Sequence, residues 1–380
     1  MPTESETPPR RRWKRWLIAG IVVAVIAAVV TPAAMVLAAW ARIDRVDLDT
    51  AAARQELALV EDTEPAGPSG PSSTVPIVQT MPTIDIEIET PVTVPPSTTS
   101  STTTTTTEPY PPPPPVPQSA PVPDSAHQAI LIIGSDRTIG GSRRADVLML
   151  ALLPSNGANP MLVSIPRDLY LDNPCGGGRQ RVNAALNGCG SVSGPNLLAV
   201  VVEDFTGIPI DHFVLFDYDG FADVIDVAGG IEVCVPYPTF DTNTTPDLDL
   251  PAGCSTLEGR MALAWVRSRK TRQIVDGVEQ AVPGVGDLTR NARQRDVVRQ
   301  MLSKLSGFSN PAEVVALANA APGAFTLDSG LSIGSAVSIA WDLRGRTGSI
   351  RSPGIRVSGY VTSTGAYVLL PTQPFSETIG

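Results

Sequence analysis

The stretch QAILIIGSDRTIGGSRRADVLMLALL, residues 128–153, decides how the chain is read. Ala129–Ile133 and Val147–Leu153 are nearly continuous apolar runs, the pattern of strands covered on both faces. Working outward, Met161–Ile165, Phe213–Phe216 and Ile231–Val235 are further candidate strands. Between the last two, Phe221, Val224, Ile225 and Ala228 fall at i, i+3, i+4 and i+7, which predicts a helix over Asp219–Gly230 with Asp219 as N-cap and Gly229–Gly230 as its stop. Val298, Met301, Leu302 and Leu305 repeat the stripe, and Asn310-Pro311-Ala312-Glu313 reads as N-cap, first-turn proline and capping-box glutamate of a following helix. Gly330–Leu343 is a candidate helix, and Ile355–Val361 with Tyr367–Leu370 a closing pair of strands. Strands alternating with helices predict a layered α/β/α domain over residues 128–380.

Upstream the texture differs. Residues 17–39 carry no charge; as a helix they would span about 35 Å at ~1.5 Å per residue, enough for a hydrocarbon core of about 30 Å. Pro32 would kink such a helix without forbidding it. Arg10, Arg11, Arg12, Lys14 and Arg15 precede the run, so the positive-inside bias predicts a cytoplasmic tail over 1–16, a transmembrane helix over 17–39 and everything later outside the cell membrane. A cleaved signal peptide is the alternative, with Ala33–Ala34 or Ala38–Ala39 as small-residue sites; the uncleaved anchor is adopted, and both export the rest. Residues 40–127 are expected as a juxtamembrane segment, with a short helix within 41–61, and then a Pro/Thr/Ser-rich linker including Thr102–Thr107 and Pro111–Pro115. That composition cannot bury enough apolar surface to offset chain entropy, so it predicts a disordered stalk.

The 380 residues are 42% apolar, carry a formal net charge of −10 and include only two histidines, His127 and His212. The acidity argues against a nucleic-acid partner, and two histidines exclude a His-rich metal centre. Thirty-seven prolines are too many for one compact domain, in line with a linker. The four cysteines, Cys175, Cys189, Cys234 and Cys254, all lie in the exported half, where an even number favours disulfides. Three pairings are open; the short-loop one, Cys175–Cys189 with Cys234–Cys254, is favoured.

Arginine and aspartate recur together at a few places: Asp136-Arg137 after the first strand, Arg143-Arg144-Ala145-Asp146 before the second, Arg167-Asp168 after the third, then Arg181, Arg267-Ser268-Arg269-Lys270, and Asp287-Leu288-Thr289-Arg290 through Gln294. Single Arg–Asp pairs are usually surface ion pairs worth little; the coincidence of six clusters is a different matter, and three of them lie where strands begin or end, which is where ligands of α/β sheets bind. Arg267 and Arg269 would point the same way if their segment is extended, and Arg290, Arg293 and Gln294 share one helical face. Forked guanidinium donors match phosphate, and two aspartates near one sheet edge suit Mg²⁺, which keeps sites for phosphate oxygens. Together they predict a magnesium- and arginine-held pyrophosphate, an arrangement for phosphoryl transfer.

GSDR (134–137), SIPRD (164–168), GIPIDHFVLFDYDGF (207–221), GGIEVCV (229–235), LEGRMALAWVRSR (257–269) and the D-x-x-R-x-x-R-Q of 287–294 occur in this order. As a series they resemble the LytR-CpsA-Psr family of cell-wall glycopolymer ligases. The resemblance implies a three-layer α/β/α fold with a central mixed sheet, and a Mg²⁺- (or Mn²⁺-) dependent phosphotransferase that moves a glycopolymer from a polyprenyl-pyrophosphate carrier onto peptidoglycan through a phosphodiester. Carried over by position, Asp136 and Asp146 would bind the metal, while Arg137, Arg144, Arg181, Arg267, Arg269, Arg290 and Gln294 would grip the pyrophosphate. Arg167 would stabilise transition-state charge, and the prenyl tail would occupy an apolar tunnel between sheet and helices. Asp168, Asp287, a metal-bound carboxylate or the substrate phosphate is the candidate general base. Arg181 stands where the family often has Lys, and Thr289 where a Gly is common; neither removes a key charge. The Ala/Pro/Arg-rich composition points toward a high-GC actinobacterium, where the resemblance implies attachment of arabinogalactan. A membrane-anchored polyprenyl-phosphate-binding regulator and a polyprenyl pyrophosphatase are the competing expectations.

Overall fold

The computed structural model describes residues 33–63, 112–123, 127–135, 143–282, 287–307 and 311–380. The expected tail and most of the expected span and linker therefore lie outside the described residues, as do Asp136 and Arg137. Residues 33–40 are helical, and among the described residues no helix is long and apolar enough to cross a membrane.

The first described strand, β1 (Asp44–Val46), and helix α1 (Thr50–Thr63) belong to the segment expected to be juxtamembrane. They join the head instead. Ala53 and Leu57 are buried in its core with Val46 and Leu48 against them, and Arg54 pairs with Glu203 at 3.0 Å and Asp204 at 2.6 Å. Residues 112–123, expected as linker, run extended over the head: Val116 is buried and the Val122 amide donates to the Gly207 carbonyl at 2.7 Å. Gly207 has φ 71°, and a Cβ there would lie 2.7 Å from the Ala120 oxygen. Local composition hides such docking, because the partners that bury these residues come from elsewhere in the chain.

The apolar runs form β2 (His127–Ser135), β3 (Ala145–Pro154) and β4 (Met161–Ser164). With β7 (His212–Asp217) and β14 (Phe325–Asp328) they build a mixed six-stranded sheet in the order β1-β14-β7-β2-β3-β4. β2 runs parallel to β7 and antiparallel to β3. Alternation sends Leu131, Ile133, Leu148, Leu150, Leu152 and Phe213 into one core, and Ile132, Val147, Met149 and Ala151 into a second on the opposite face. Both faces are covered, which is why the strands read as unbroken apolar runs.

The first face is closed by α2 (Gly194–Thr206), which the pattern of residues did not announce. Leu197 through Val202 are all buried, so the helix carries no polar stripe to reveal its period. Ser193 caps it, its side chain accepting from the Asn196 amide. The second face is closed by α3 (Tyr218–Val227), α4 (Gly259–Arg267), α5 (Asp287–Gly307) and α6 (Pro311–Ala324). The N-cap of α3 is Asp217, not the expected Asp219: its carboxylate accepts the Gly220 amide at 2.8 Å. Asp219 sits in the first turn, where its charge still favours the helix dipole. Asn310, the expected cap of α6, lies outside the described residues. The candidate helix at 330–343 is α7 (Ile333–Leu343), capped by Ser332, and the closing strands are the antiparallel pair β15 (Val357–Val361) and β16 (Tyr367–Pro371). Both favoured disulfides form, Cys175–Cys189 and Cys234–Cys254; the second ties β8 (Ile231–Val235) to β11 (Gly253–Leu257).

Candidate functional site

A cavity of about 420 Å³ opens where β3 begins and where α3, α4 and α5 come together. Its walls carry Arg267, Arg269, Lys270 and Arg290 with Gln294, Asp146, Asp241, Asn243, Thr244, Thr245, Tyr218 and Ala264. Four cations face two carboxylates, so the cavity favours an anion carrying more than one charge.

Each wall has a local cause. α4 begins at Gly259, where a Cβ would lie 2.1 Å from the Ala222 oxygen of α3; only hydrogen fits, and Asp226 Oδ1 accepts the Gly259 amide at 2.7 Å. This close crossing aims the far end of α4 at the cavity. The segment expected to be extended is therefore helical through Arg267, and the chain leaves the helix at Ser268 (φ −59°, ψ 129°). Arg267 and Arg269 meet at the cavity because a helix ends between them, not because strand alternation puts them on one side. The Arg267 guanidinium stands 5.3 Å from the centre of the Tyr218 ring.

α5 presents the expected Arg290, Arg293 and Gln294 face, and all three are buried, Arg290 to 3% exposure. Burial splits their work. Arg290 and Gln294 line the cavity, whereas Arg293 turns to α4, stacking 3.8 Å from the Trp265 ring centre and donating to the Trp265 carbonyl at 3.3 Å and Thr271 Oγ1 at 3.0 Å. Burial pulls its pKa down to about 10, Asp241 opposing, so it stays cationic at neutral pH. Asp241, 2% exposed, accepts from Ser268 Oγ at 2.5 Å, the Lys270 amide at 3.1 Å and both nitrogens of Asn243. Burial alone would raise its pKa, but these hydrogen bonds outweigh that and hold it below the ordinary 3.8.

Asp146 owes its place to a β-bulge. Gly134 faces Val147 and Ser135 faces Ala145, leaving Asp146 as the extra residue. Strict alternation with Leu148 and Leu150 would aim it at the α2 face; the bulge frees it to line the cavity. Its Oδ1 binds Arg167 Nη1 at 2.5 Å, Arg167 Nε approaches Asp168 Oδ2 at 3.4 Å, and Arg181 Nε lies 3.3 Å from Asp168 Oδ1. Arg181 also donates to the Tyr367 carbonyl at 2.8 Å. Arg167, Asp168 and Arg181 thus form an alternating charge chain that enters the cavity through Asp146.

Five of the expected residues, Asp146, Arg267, Arg269, Arg290 and Gln294, converge on one cavity, and three more are linked to it. Arg144 is exposed and does not line it. The backbone of Asp287 opens α5, its side chain lying outside the description, as do Asp136 and Arg137 entirely. Among the described residues the cavity walls are polar, with Ala264 the only aliphatic one and Tyr218 the only ring. The apolar layer of Val147, Met149, Val224, Ala262 and Val266 lies between sheet and helices, where the prenyl tail was expected. Tyr218, Asp241, Asn243, Thr244, Thr245 and Lys270 were not singled out as site residues. Lys270 directly follows the arginine pair, and Tyr218 lies inside FDYDGF, so both carried a signal; Asp241 ends the three-residue strand β9 (Thr239–Asp241), which no motif or period marks.

A divalent metal is tested by the donors present. Among the described residues the one cluster of three ligand-type side chains is Glu232 with Cys234 and Cys254, and those cysteines are spent in a disulfide. Among the described residues the cavity therefore offers no ligand cluster, only the separate carboxylates of Asp146 and Asp241, the latter already accepting from four donors. That fits a hard cation such as Mg²⁺, which takes one or two carboxylates and fills its sphere with phosphate oxygens and water.

Comparison with known proteins agrees with this geometry. The model of the LytR_cpsA_psr family matches residues 97–378, and the chain belongs to that family. It is 34% identical over 215 residues to the probable cell wall biosynthesis protein LcpB of Corynebacterium glutamicum, covering 56% of this chain and 46% of that protein. It is 33% identical over 203 residues to the polyisoprenyl-teichoic acid–peptidoglycan teichoic acid transferase TagV of Bacillus subtilis, covering 51% and 47%. The chain thus spans about half the length of these curated relatives. Among solved structures, the LytR-Csp2A-Psr enzyme from Actinomyces oris superposes with a TM-score of 0.55 at 28% identity, over 69% of this chain and 92% of that one. The crystal structure of B. subtilis TagV gives 0.54 at 27%, over 67% and 93%.

Proposed function

We propose that the protein is a Mg²⁺-dependent glycopolymer–peptidoglycan phosphotransferase, drawing on a polyprenyl-pyrophosphate-linked glycan at the outer face of the cell membrane. The observation that carries this is the convergence of Arg267, Arg269, Lys270 and Arg290 with Asp146 on one cavity. In the reaction an acceptor hydroxyl oxygen bonds to the phosphorus next to the glycan. The bond from that phosphorus to the bridging oxygen breaks, prenyl phosphate leaves, and the hydroxyl proton passes to a base. The four cations bind the diphosphate and offset charge on the leaving phosphate; Arg290, buried and fixed by α5, does so at least reorganisation. Arg167, clamped between Asp146 and Asp168, is the transition-state arginine, and Asp168 positions it. Asp146, together with Asp136, would hold the metal, which supplies further neutralisation of phosphate charge.

A single-pass anchor over residues 17–39 with the head outside is supported by the uncharged run, by its basic N-terminal flank and by two disulfides, which persist in oxidising compartments. TagV and LcpB are named for teichoic acid transfer and cell wall biosynthesis; arabinogalactan is the polymer proposed here. The test supplies full-length protein, Mg²⁺ and a polyprenyl-pyrophosphate-linked glycan, with and without peptidoglycan. Product that requires the acceptor supports the transferase. Prenyl phosphate released without acceptor means a pyrophosphatase, and binding without turnover means a regulator; either overturns the proposal.

A further inference from the structure

Helix α7, IGSAVSIAWDL, is at odds with its position. Ile339 packs into a small cluster with Ile43, Leu327, Leu331 and Trp40, and Leu343 is buried, so the helix is seated by one side. The other side should be polar in a protein surrounded by water. It carries Val337, 61% exposed, and Trp341, 68% exposed, one turn apart and stacked on one face. Asp342 is the only charge in the helix, and Arg344 just beyond it holds its guanidinium 5.3 Å from the Trp341 ring centre.

The cluster that seats α7 also receives Trp40, the end of the helical residues 33–40. On that segment Met35 and Leu37 are 49% and 55% exposed. It is the last part of the 23-residue uncharged run, so two exposed apolar surfaces adjoin one cluster at the point where that run reaches the head. We propose that the Val337/Trp341 face of α7 lies in the interfacial layer of the bilayer that the run enters, holding the head down on the membrane rather than at the end of a stalk. An indole with an adjoining guanidinium suits this depth, the ring among the upper acyl chains and the cation among phosphates. The occupant follows from the chain itself: lipid lies wherever residues 17–39 lie, and strand β1 fixes α7 beside their exit. The inference rests on the anchor proposed above, which the experiment tests separately.

All four native cysteines are paired, so an introduced cysteine is the one reactive thiol. Full-length Val337→Cys, Val278→Cys and Ala28→Cys variants are each labelled with an environment-sensitive fluorophore and reconstituted in phosphatidylglycerol–phosphatidylethanolamine vesicles containing spin-labelled lipid. Val278, 60% exposed, belongs to β13 (Val278–Ala281) and is the control. The expected result is strong lipid quenching at 28, clear quenching at 337 by shallow probes, and little at 278. Trp341→Asp added to the Val337→Cys variant should reduce the quenching at 337 and leave that at 28 unchanged. Quenching at 28 with none at 337 overturns the docking and keeps the anchor. A label at 337 that is shielded without lipid quenching identifies a protein partner, and no quenching at 28 removes the anchor; both overturn the proposal.

Discussion

The two faces of the central sheet are closed by different means. Against the α2 face lie Leu131, Ile133, Leu148, Leu150, Leu152 and Phe213 with the buried run of α2, and the contacts are almost wholly apolar. Against the other face the apolar layer of α3, α4 and α5 ends in a patch of buried polar groups: Asp241, Ser268, Thr271, Arg290, Asn291, Arg293 and Gln294. Burying charge is costly unless every group is partnered, and Asp241 and Arg293 show how far partnering goes here. The α2 face serves to hold the sheet together. The opposite face gives up some of that stability so that several cations can act together on one anion, an attraction that bulk solvent would otherwise screen.

The contrast can be broken from either side. The largest effect is expected from Arg167→Ala. If Arg167 acts on transition-state charge, turnover falls ~10³-fold or more, about 4 kcal/mol, with little change in the urea midpoint; normal turnover in this variant would remove Arg167 from the mechanism. Phe213→Ala, on the α2 face, should do the reverse. Loss of a fully buried ring costs about 3–4 kcal/mol of stability in a denaturation experiment, while the protein that remains folded turns over normally.

Asp241→Ala falls between the two. It strips the acceptor from Ser268, Asn243 and the Lys270 amide, so about 2–3 kcal/mol of stability should go, and the affinity for a diphosphate should weaken because Arg269 and Lys270 lose their fixed turn. Its pH signature has a definite sign. The folded pKa is depressed below 3.8, so the stabilisation is complete above that value and is lost as pH falls through the lower folded one. Acid-unfolding curves of the parent and of Asp241→Asn should therefore converge on acidification, and parallel curves would show that the carboxylate is not responsible. The smallest effect is expected from Lys270→Ala, an exposed wall of the cavity: a ~10-fold rise in KM for the lipid pyrophosphate, about 1.4 kcal/mol, with unchanged kcat. A fall in kcat instead would move Lys270 from binding to chemistry.

Much of this was legible in the primary structure. The strands announced themselves because burial on both faces removes polar residues from them, and the helix stripes of α3 and α5 appeared because one side of each meets solvent or a polar site. α2 escaped for the opposite reason: Leu197–Val202, six consecutive residues, are all apolar and buried, so no stripe shows. Arg267, Arg269, Arg290 and Gln294 were legible as guanidinium clusters and a motif series, whereas Asp241 was not, because a lone aspartate at the end of a three-residue strand carries no period and its four donors come from positions 243, 268 and 270.

Residue types and short-range spacing determined the mixed α/β class, the pairing of cysteines close in sequence, and the concentration of cations in a few segments, since each depends only on neighbours along the chain. Tertiary structure decided which of those cations meet. A helix end at Ser268 joins Arg267 to Arg269, one bulge moves Asp146 off the face its parity assigns, and a glycine crossing sets where α4 points. Residues 44–63 and 112–123, unremarkable by composition, enter the head only because distant side chains provide surfaces for them. Contacts between segments far apart in the chain are fixed by packing that no local pattern encodes.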